Sequence, residues 1–134
     1  WDDIARAAVR RCHAQGRLVP GLGHPVHKVV DPRTPVIIRI AAEEGLRGPH
    51  LQLFEAVGRV HPEILGRTLP LNGAGVCGAA LSDLGFAPEL LRGFALLART
   101  AGLLGHLAEE LRQPVAREIY AQVERHAEYL PPSG

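Results

Sequence analysis

Apolar residues recur along most of this chain at three- and four-residue spacing rather than in alternation, which predicts helices and few strands. Residues 2–14 set Ile4, Ala8, Val9 and Cys12 on one side, with Asp2 and Asp3 at the start and Gly16 past the end. Thr34-Pro35 reads as an N-cap followed by a first-turn proline, opening a helix over 35–44 through Val36, Ile37, Ile40 and Ala41 until Gly45. A third helix is expected over 50–62, starting near Pro49, with Leu53, Phe54, Val57 and Val60 on one face. The small-residue segment from Asn72 to Leu84 predicts a tightly packed helix over 73–84, or a glycine-rich turn into one. Pro88-Glu89 opens a long helix over 88–112, and a last helix follows over 115–128. The tail Leu130-Pro-Pro-Ser-Gly reads as a frayed end.

The long helix carries a stripe of small residues, Ala98, Ala101, Gly102, Gly105 and Ala108. Such a stripe lets two helix backbones approach closely. The helix is apolar nearly all round, so it is expected to be buried on most sides, in a subunit contact or a central core.

Composition narrows the function classes. At 46% hydrophobic over 134 residues, the chain is one domain or part of one, with enough apolar surface for a core. Its 15 basic and 14 acidic residues are interspersed to a net charge of +1, so no block points to nucleic acid or to a solvating tail. The longest nearly apolar stretch, Phe94 to Leu107, is interrupted by Arg99, Thr100 and His106 and is too short to span a bilayer. Trp-Asp-Asp at the start is not a signal-peptide pattern. Cys12 and Cys77 do not make a disulfide framework, and the cytoplasm is the expected compartment. The sequence contains no methionine and begins at Trp1, so a piece of a longer protein is expected.

The densest candidate site is Leu18-Val-Pro-Gly-Leu-Gly-His-Pro-Val-His-Lys28, followed by Asp31-Pro-Arg33. Glycines and prolines around His24 make a rigid, irregular turn that holds the imidazole and leaves backbone N–H groups free for a ligand. By composition alone, a loop with exposed histidines reads equally well. No set of metal ligands is completed around His24 and His27. His61 and His106 read as core or surface histidines rather than ligands.

The spelling of four blocks changes this picture. Gly-Leu-Gly-His-Pro-Val-His-Lys with Asp-Pro-Arg resembles the signature of the citrate synthase family, and its Pro-Val-His-Lys variant resembles the citryl-CoA lyase branch. Leu71-Asn72-Gly-Ala74-Gly-Val-Cys-Gly78 resembles the family's Asn-Val-Asp segment. Ala98-Arg99 through His106 resembles its arginine-bearing helix, and Pro114-Val-Ala-Arg117 its closing Pro-x-x-Arg. The blocks stand in the family's order along the whole chain.

This resemblance implies an all-α, citrate-synthase-like fold, with small-domain helices over 1–84 carrying the CoA and substrate segment. Residues 85–134 would be C-terminal helices returning to the large domain and dimer core. It implies a C–C bond made or cleaved between an acyl-CoA and a keto acid, with no metal or redox cofactor. His24 matches the histidine that polarises the keto-acid carbonyl. Arg33, Arg99 and Arg117 match the arginines holding substrate carboxylates, Arg117 reaching across a homodimer interface. Leu18, Val19 and Gly21 match backbone that receives the CoA adenine, Lys28 and Arg67 match basic residues near its phosphates, and Asn72 belongs to the same CoA set. Arg99 could instead serve a structural ion pair, and Lys28, Arg67 and Arg117 could be ordinary solvated charges.

Two departures stand against the matches. The family's catalytic aspartate falls at Ala74, which cannot be a base. Asp83 is nine residues further on, roughly 13 Å along a helix at 1.5 Å per residue. Nothing before Leu18 resembles the family's other catalytic histidine, which is expected in a missing N-terminal half. The chain by itself is therefore expected to be inactive, and a catalytically impaired CoA- or polycarboxylate-binding module is the alternative. A helical oligomerisation domain without a ligand is a third reading.

Overall fold

A computed structural model describes residues 1–131. The helices are α1 (Asp2–Ala14), α2 (Arg33–Glu43), α3 (Pro49–Leu65), α4 (Gly73–Asp83), α5 (Pro88–Glu110) and α6 (Ala116–His126). No strand occurs among the described residues, and the all-α expectation holds. One isolated antiparallel bridge joins Leu22 to Leu71. Of the tail expected to fray, residues 132–134 lie outside the described residues. The chain divides into two compact units, Trp1–Gly93 and Phe94–Gly134, and the division falls inside α5.

In the first unit α3 is the central element, packing against α1 and α4, while α2 packs against α4. Ala5 and Val9 of α1 meet Ala56 and Val60 of α3, all at most 1% exposed. The buried face of α1 is thus centred on Ala5 and Val9, and Ile4, expected on it, is 55% exposed. Arg59–Asp2 at 2.6 Å and Arg6–Glu63 at 3.5 Å flank this contact. Exposed pairs of this kind contribute little, about 0–1 kcal/mol. A second cluster joins Ala41 of α2, Leu51 and Phe54 of α3, and Val76 of α4.

Helix starts in this unit depend on partners distant in sequence. Asp83, the last residue of α4, accepts hydrogen bonds from the Gly48, His50 and Leu51 N–H groups at 3.0, 2.9 and 2.9 Å. It also meets His50 Nδ1 at 2.8 Å. These amides open α3, where no preceding helical carbonyl can serve them. Burial pushes the Asp83 pKa up, but the hydrogen bonds from Leu51 and His50 outweigh it and hold the carboxyl below its ordinary value.

The expected Thr34 cap is corrected by the structure. Helix α2 begins at Arg33 rather than Pro35, and the Thr34 hydroxyl donates to the Leu71 carbonyl at 3.0 Å. The capping acceptor is Asp31, whose Oδ1 takes the Arg33 N–H at 3.1 Å. A carboxylate one residue before Pro32 reaches the first helical amide without the proline obstructing it, while the Asp31 carbonyl takes the Thr34 N–H.

In the second unit the Glu110 carboxylate accepts the Val115 and Ala116 N–H groups at 3.0 Å, capping α6. These two hydrogen bonds lower its pKa. Burial of α5 on most sides is not what the chain shows: α5 has no buried residue, and Leu97 and Leu104 are 69% and 65% exposed. A nearly all-apolar helix needs more covering surface than α6, itself without a buried residue, supplies. No described helix is long and apolar enough to cross a membrane.

Candidate functional site

The 18–28 loop is held against the segment before α4. Gly23 N–H donates to the Pro70 carbonyl at 2.8 Å, and Asn72 N–H to the Gly21 carbonyl at 2.9 Å. The Asn72 side chain works in both directions: Nδ2 donates to the Gly23 carbonyl at 2.8 Å, and Oδ1 caps α4 by accepting the Gly75 N–H at 2.9 Å. Gly21, at φ +84°, lies on the Phe54 ring, and an added Cβ would fall 2.7 Å from Phe54 Cε2. Only a residue without a side chain combines that dihedral with that approach.

His61 steadies the same region from below. It is 1% exposed; its Nδ1 donates to the Val57 carbonyl at 3.0 Å and its Nε2 accepts the Leu69 N–H at 2.8 Å. Leu69 N–H can only donate, so the proton sits on Nδ1. The expected role of a satisfied core histidine holds.

At the end of the loop, His24 Nδ1 accepts the backbone N–H groups of Val26 at 3.1 Å and His27 at 3.0 Å. Two donors on Nδ1 assign the ring proton to Nε2. Facing Nε2 at 3.2 Å is Arg33 Nη2. A guanidinium has no acceptor, so two donors converge without satisfying each other. An oxygen seated in front of the pair, within reach of each, would receive both. Asp31 supports Arg33 through Oδ1 to Nε at 2.9 Å and Oδ2 to Nη2 at 2.7 Å, and accepts the Gly73 N–H at 2.6 Å. Those guanidinium bonds lower the Asp31 pKa far below the usual carboxylate range; burial opposes them, and the Gly73 and Arg33 amides add to the lowering.

The residues expected to receive CoA separate into two groups. Leu18, Val19 and Arg67 line one pocket of about 260 Å³ together with His13, Arg17, Leu22 and Leu69. Lys28 lies outside it, its Nζ donating to the His24 carbonyl at 3.2 Å, and Gly21 and Asn72 serve the loop architecture described above. Arg17, missed in the sequence reading, is the second arginine of that pocket; its place directly before Leu18 was the available signal. A larger groove of about 440 Å³ runs along Asp31 and Thr34 with Val29, Val30, Ile38 and Leu71, and no predicted site residue lines it. Arg99 lies on α5 and Arg117 in the first turn of α6, both in the second unit and exposed, without an ion-pair partner among the described residues. No cluster of three His, Cys, Asp or Glu among the described residues is arranged to hold a metal.

Residues 2–121 match the family described as citrate synthase, C-terminal domain. The chain belongs to the citrate synthase family. The citrate synthase-like protein oryE of Aspergillus oryzae is 32% identical over 114 residues, 81% of this chain and 26% of that protein. The structure of citryl-CoA lyase from Hydrogenobacter thermophilus matches with a TM-score of 0.78 at 31% identity, over 97% of this chain and 52% of that one. The chain thus spans about half the length of the solved relative and about a quarter of the curated one.

Within this citrate-synthase-family unit, position 74 is an exposed alanine next to Gly73. Two carboxylates belong to α4 or bond to its first turn, and both are occupied. Asp31 is saturated by Arg33 and Gly73, and Asp83 by the start of α3. Neither is available as a base.

Proposed function

We propose that this domain works within an enzyme that makes or cleaves a C–C bond between an acyl-CoA and a keto acid of the oxaloacetate or citrate type. The observation that carries the reading is the convergence of His24 Nε2–H and Arg33 Nη2 at 3.2 Å in a chain of this family. A carbonyl oxygen received there would be polarised by the imidazole, while the adjacent carboxylate meets the guanidinium fork. Arg99 and Arg117 would hold the remaining carboxylates. The CoA nucleotide would occupy the pocket of Leu18, Val19 and Arg67, with Lys28 near its phosphates. The rest of the protein would supply the further catalytic histidine. The alanine at position 74, with Asp31 and Asp83 both engaged elsewhere, favours a second reading, a binding module of the same fold with little turnover.

Calorimetry with acetyl-CoA on the full-length protein tests the CoA part. Arg67→Ala should weaken binding about tenfold or more, since a charge-assisted hydrogen bond contributes about 1.5–3 kcal/mol. Affinity should also fall with added salt. No heat at millimolar acetyl-CoA removes CoA from the proposal.

A homodimer through α5 completes the reading. Leu97, Leu104 and Leu107 are exposed, and an added Cβ at Gly102 or Gly105 would meet nothing within 4 Å, leaving room for a second helix. An apolar surface of this extent is normally covered in solution. Sedimentation of the protein at micromolar concentration should show dimers, and Gly102→Leu should shift it to monomer. A monomeric wild type, or a dimeric Gly102→Leu, puts the interface elsewhere.

A further inference from the structure

Arg33 presents a problem of position. Its side chain is 54% exposed, and a free arginine there would swing into water, yet its Nη2 stands 3.2 Å from His24 Nε2 with no acceptor between them. Two donors stay apposed only if something else fixes one of them.

That element is Asp31. It is 0% exposed, and both oxygens are committed within the chain: Oδ1 to the Arg33 amide and Nε, Oδ2 to Arg33 Nη2 and the Gly73 amide. A carboxylate so enclosed touches no substrate. Its two-point grip sets both the location and the plane of the guanidinium. Of the five guanidinium N–H donors, Nε–H and one Nη2–H go to Asp31, the second Nη2–H points toward His24, and both Nη1–H groups remain. Gly73 forms the floor: a Cβ there would lie 2.7 Å from Arg33 Cζ and Nε. The guanidinium therefore rests on the first turn of α4, the helix to which Asp31 is also bonded.

We infer that Asp31 is a positioning residue that, with Gly73 as its floor, holds Arg33 against His24 so that the two side chains form a single port for a carbonyl or carboxylate oxygen. The identity of the ligand rests on the proposed function; the geometry does not. Asp31→Asn keeps the shape but replaces one acceptor oxygen by an NH₂ that faces other donors. Gly73→Ala leaves the carboxylate intact and displaces only the flexible end of Arg33, so this variant should fold normally.

The experiment pairs nitrogen-15 NMR of Arg33 Nε and the His24 ring in this chain with calorimetry of oxaloacetate on the full-length protein. In the wild type, the Arg33 Nε–H should be protected from solvent exchange and His24 should carry its proton on Nε2. Both variants should lose the Arg33 protection, shift the His24 Nε2 resonance, and lower oxaloacetate affinity about tenfold or more with α-helical circular dichroism unchanged. Unchanged Arg33 and His24 signals in either folded variant overturn the inference. So do displaced signals with wild-type affinity. If Asp31→Asn does not fold, Gly73→Ala decides by the same readings. If the wild type binds no oxaloacetate, the proposed function loses its ligand, and the NMR signals alone decide for or against Asp31.

Discussion

A carboxylate introduced at position 74 should raise the turnover of citryl-CoA cleavage, or of acetyl-CoA condensation with oxaloacetate, by at least tenfold in the full-length protein. In the proposed reading His24 would polarise the carbonyl beside the Arg33 cation, while position 74 carries no carboxylate and Asp31 and Asp83 are both engaged. Positioned general-base catalysis contributes about 10²–10⁴-fold, which sets the upper range of the gain in Ala74→Asp. Residue 74 lies in the first turn of α4, where the exposed amides and the helix dipole favour a carboxylate, so the substitution should not harm the fold. Ligand affinity should change little, because Arg33 and His24 remain in place. Steady-state kinetics of both proteins check this. An ordinary rate in the wild type that Ala74→Asp leaves unchanged would mean that the base is supplied from another part of the protein. Two inactive proteins that still bind ligand would establish the binding-module reading.

The largest stability effect is expected at Asp83. Asp83→Ala removes the acceptor for three backbone amides at the start of α3 and vacates the space against Gly48. A lost cap costs about 0.5–2 kcal/mol, and each buried donor left unpaired about 1–3 kcal/mol, with water relieving part of it. A loss of about 2–4 kcal/mol is therefore expected, read as a lower urea midpoint at unchanged slope. Asp83→Asn, which keeps one acceptor oxygen, should lose less. The pH dependence has a definite sign. The folded-state pKa of Asp83 is depressed, so its contribution is present above the unfolded value and is lost as pH falls through the folded one. Stability of the wild type should drop on acidification below the ordinary carboxylate range, and Asp83→Ala should show a smaller drop. An equal drop in both proteins would assign the acid sensitivity to other groups, Asp31 first among them.

Asp83 also marks where reading the sequence stops. Local signals served well: the spacing of Leu53, Phe54, Val57 and Val60 located α3, and Asn72 before a run of small residues located α4. Capping by a residue 35 positions away leaves no local trace, so nothing around Asp83 in the sequence marks it as the cap of α3. Thr34-Pro35 failed for a related reason. Threonine before proline is a sound capping signal, but Asp31 holds the first amide of α2 and Thr34 is drawn to Leu71. His24 and Arg33 were legible as a motif, whereas their apposition depends on Asp31 and Gly73, 42 positions apart. The exposed α5 exceeds the reach of periodicity for another reason: a pattern states that a helix wants covering, not which chain covers it.

The bridge between Leu22 and Leu71 has a bearing on how the site comes into being. The loop and the α4 cap that hold His24 and Arg33 in place are joined by Asn72 and Gly23, 49 positions apart. Closing a segment of that length costs entropy before any contact returns it, a cost of the same order as docking α1 on α3, where Ala5 and Ala56 stand 51 positions apart. The port's amides, Gly23 and Asn72 above all, lie half-buried on irregular backbone, so their exchange with solvent is expected to run ahead of that of the fully buried α1–α3 core.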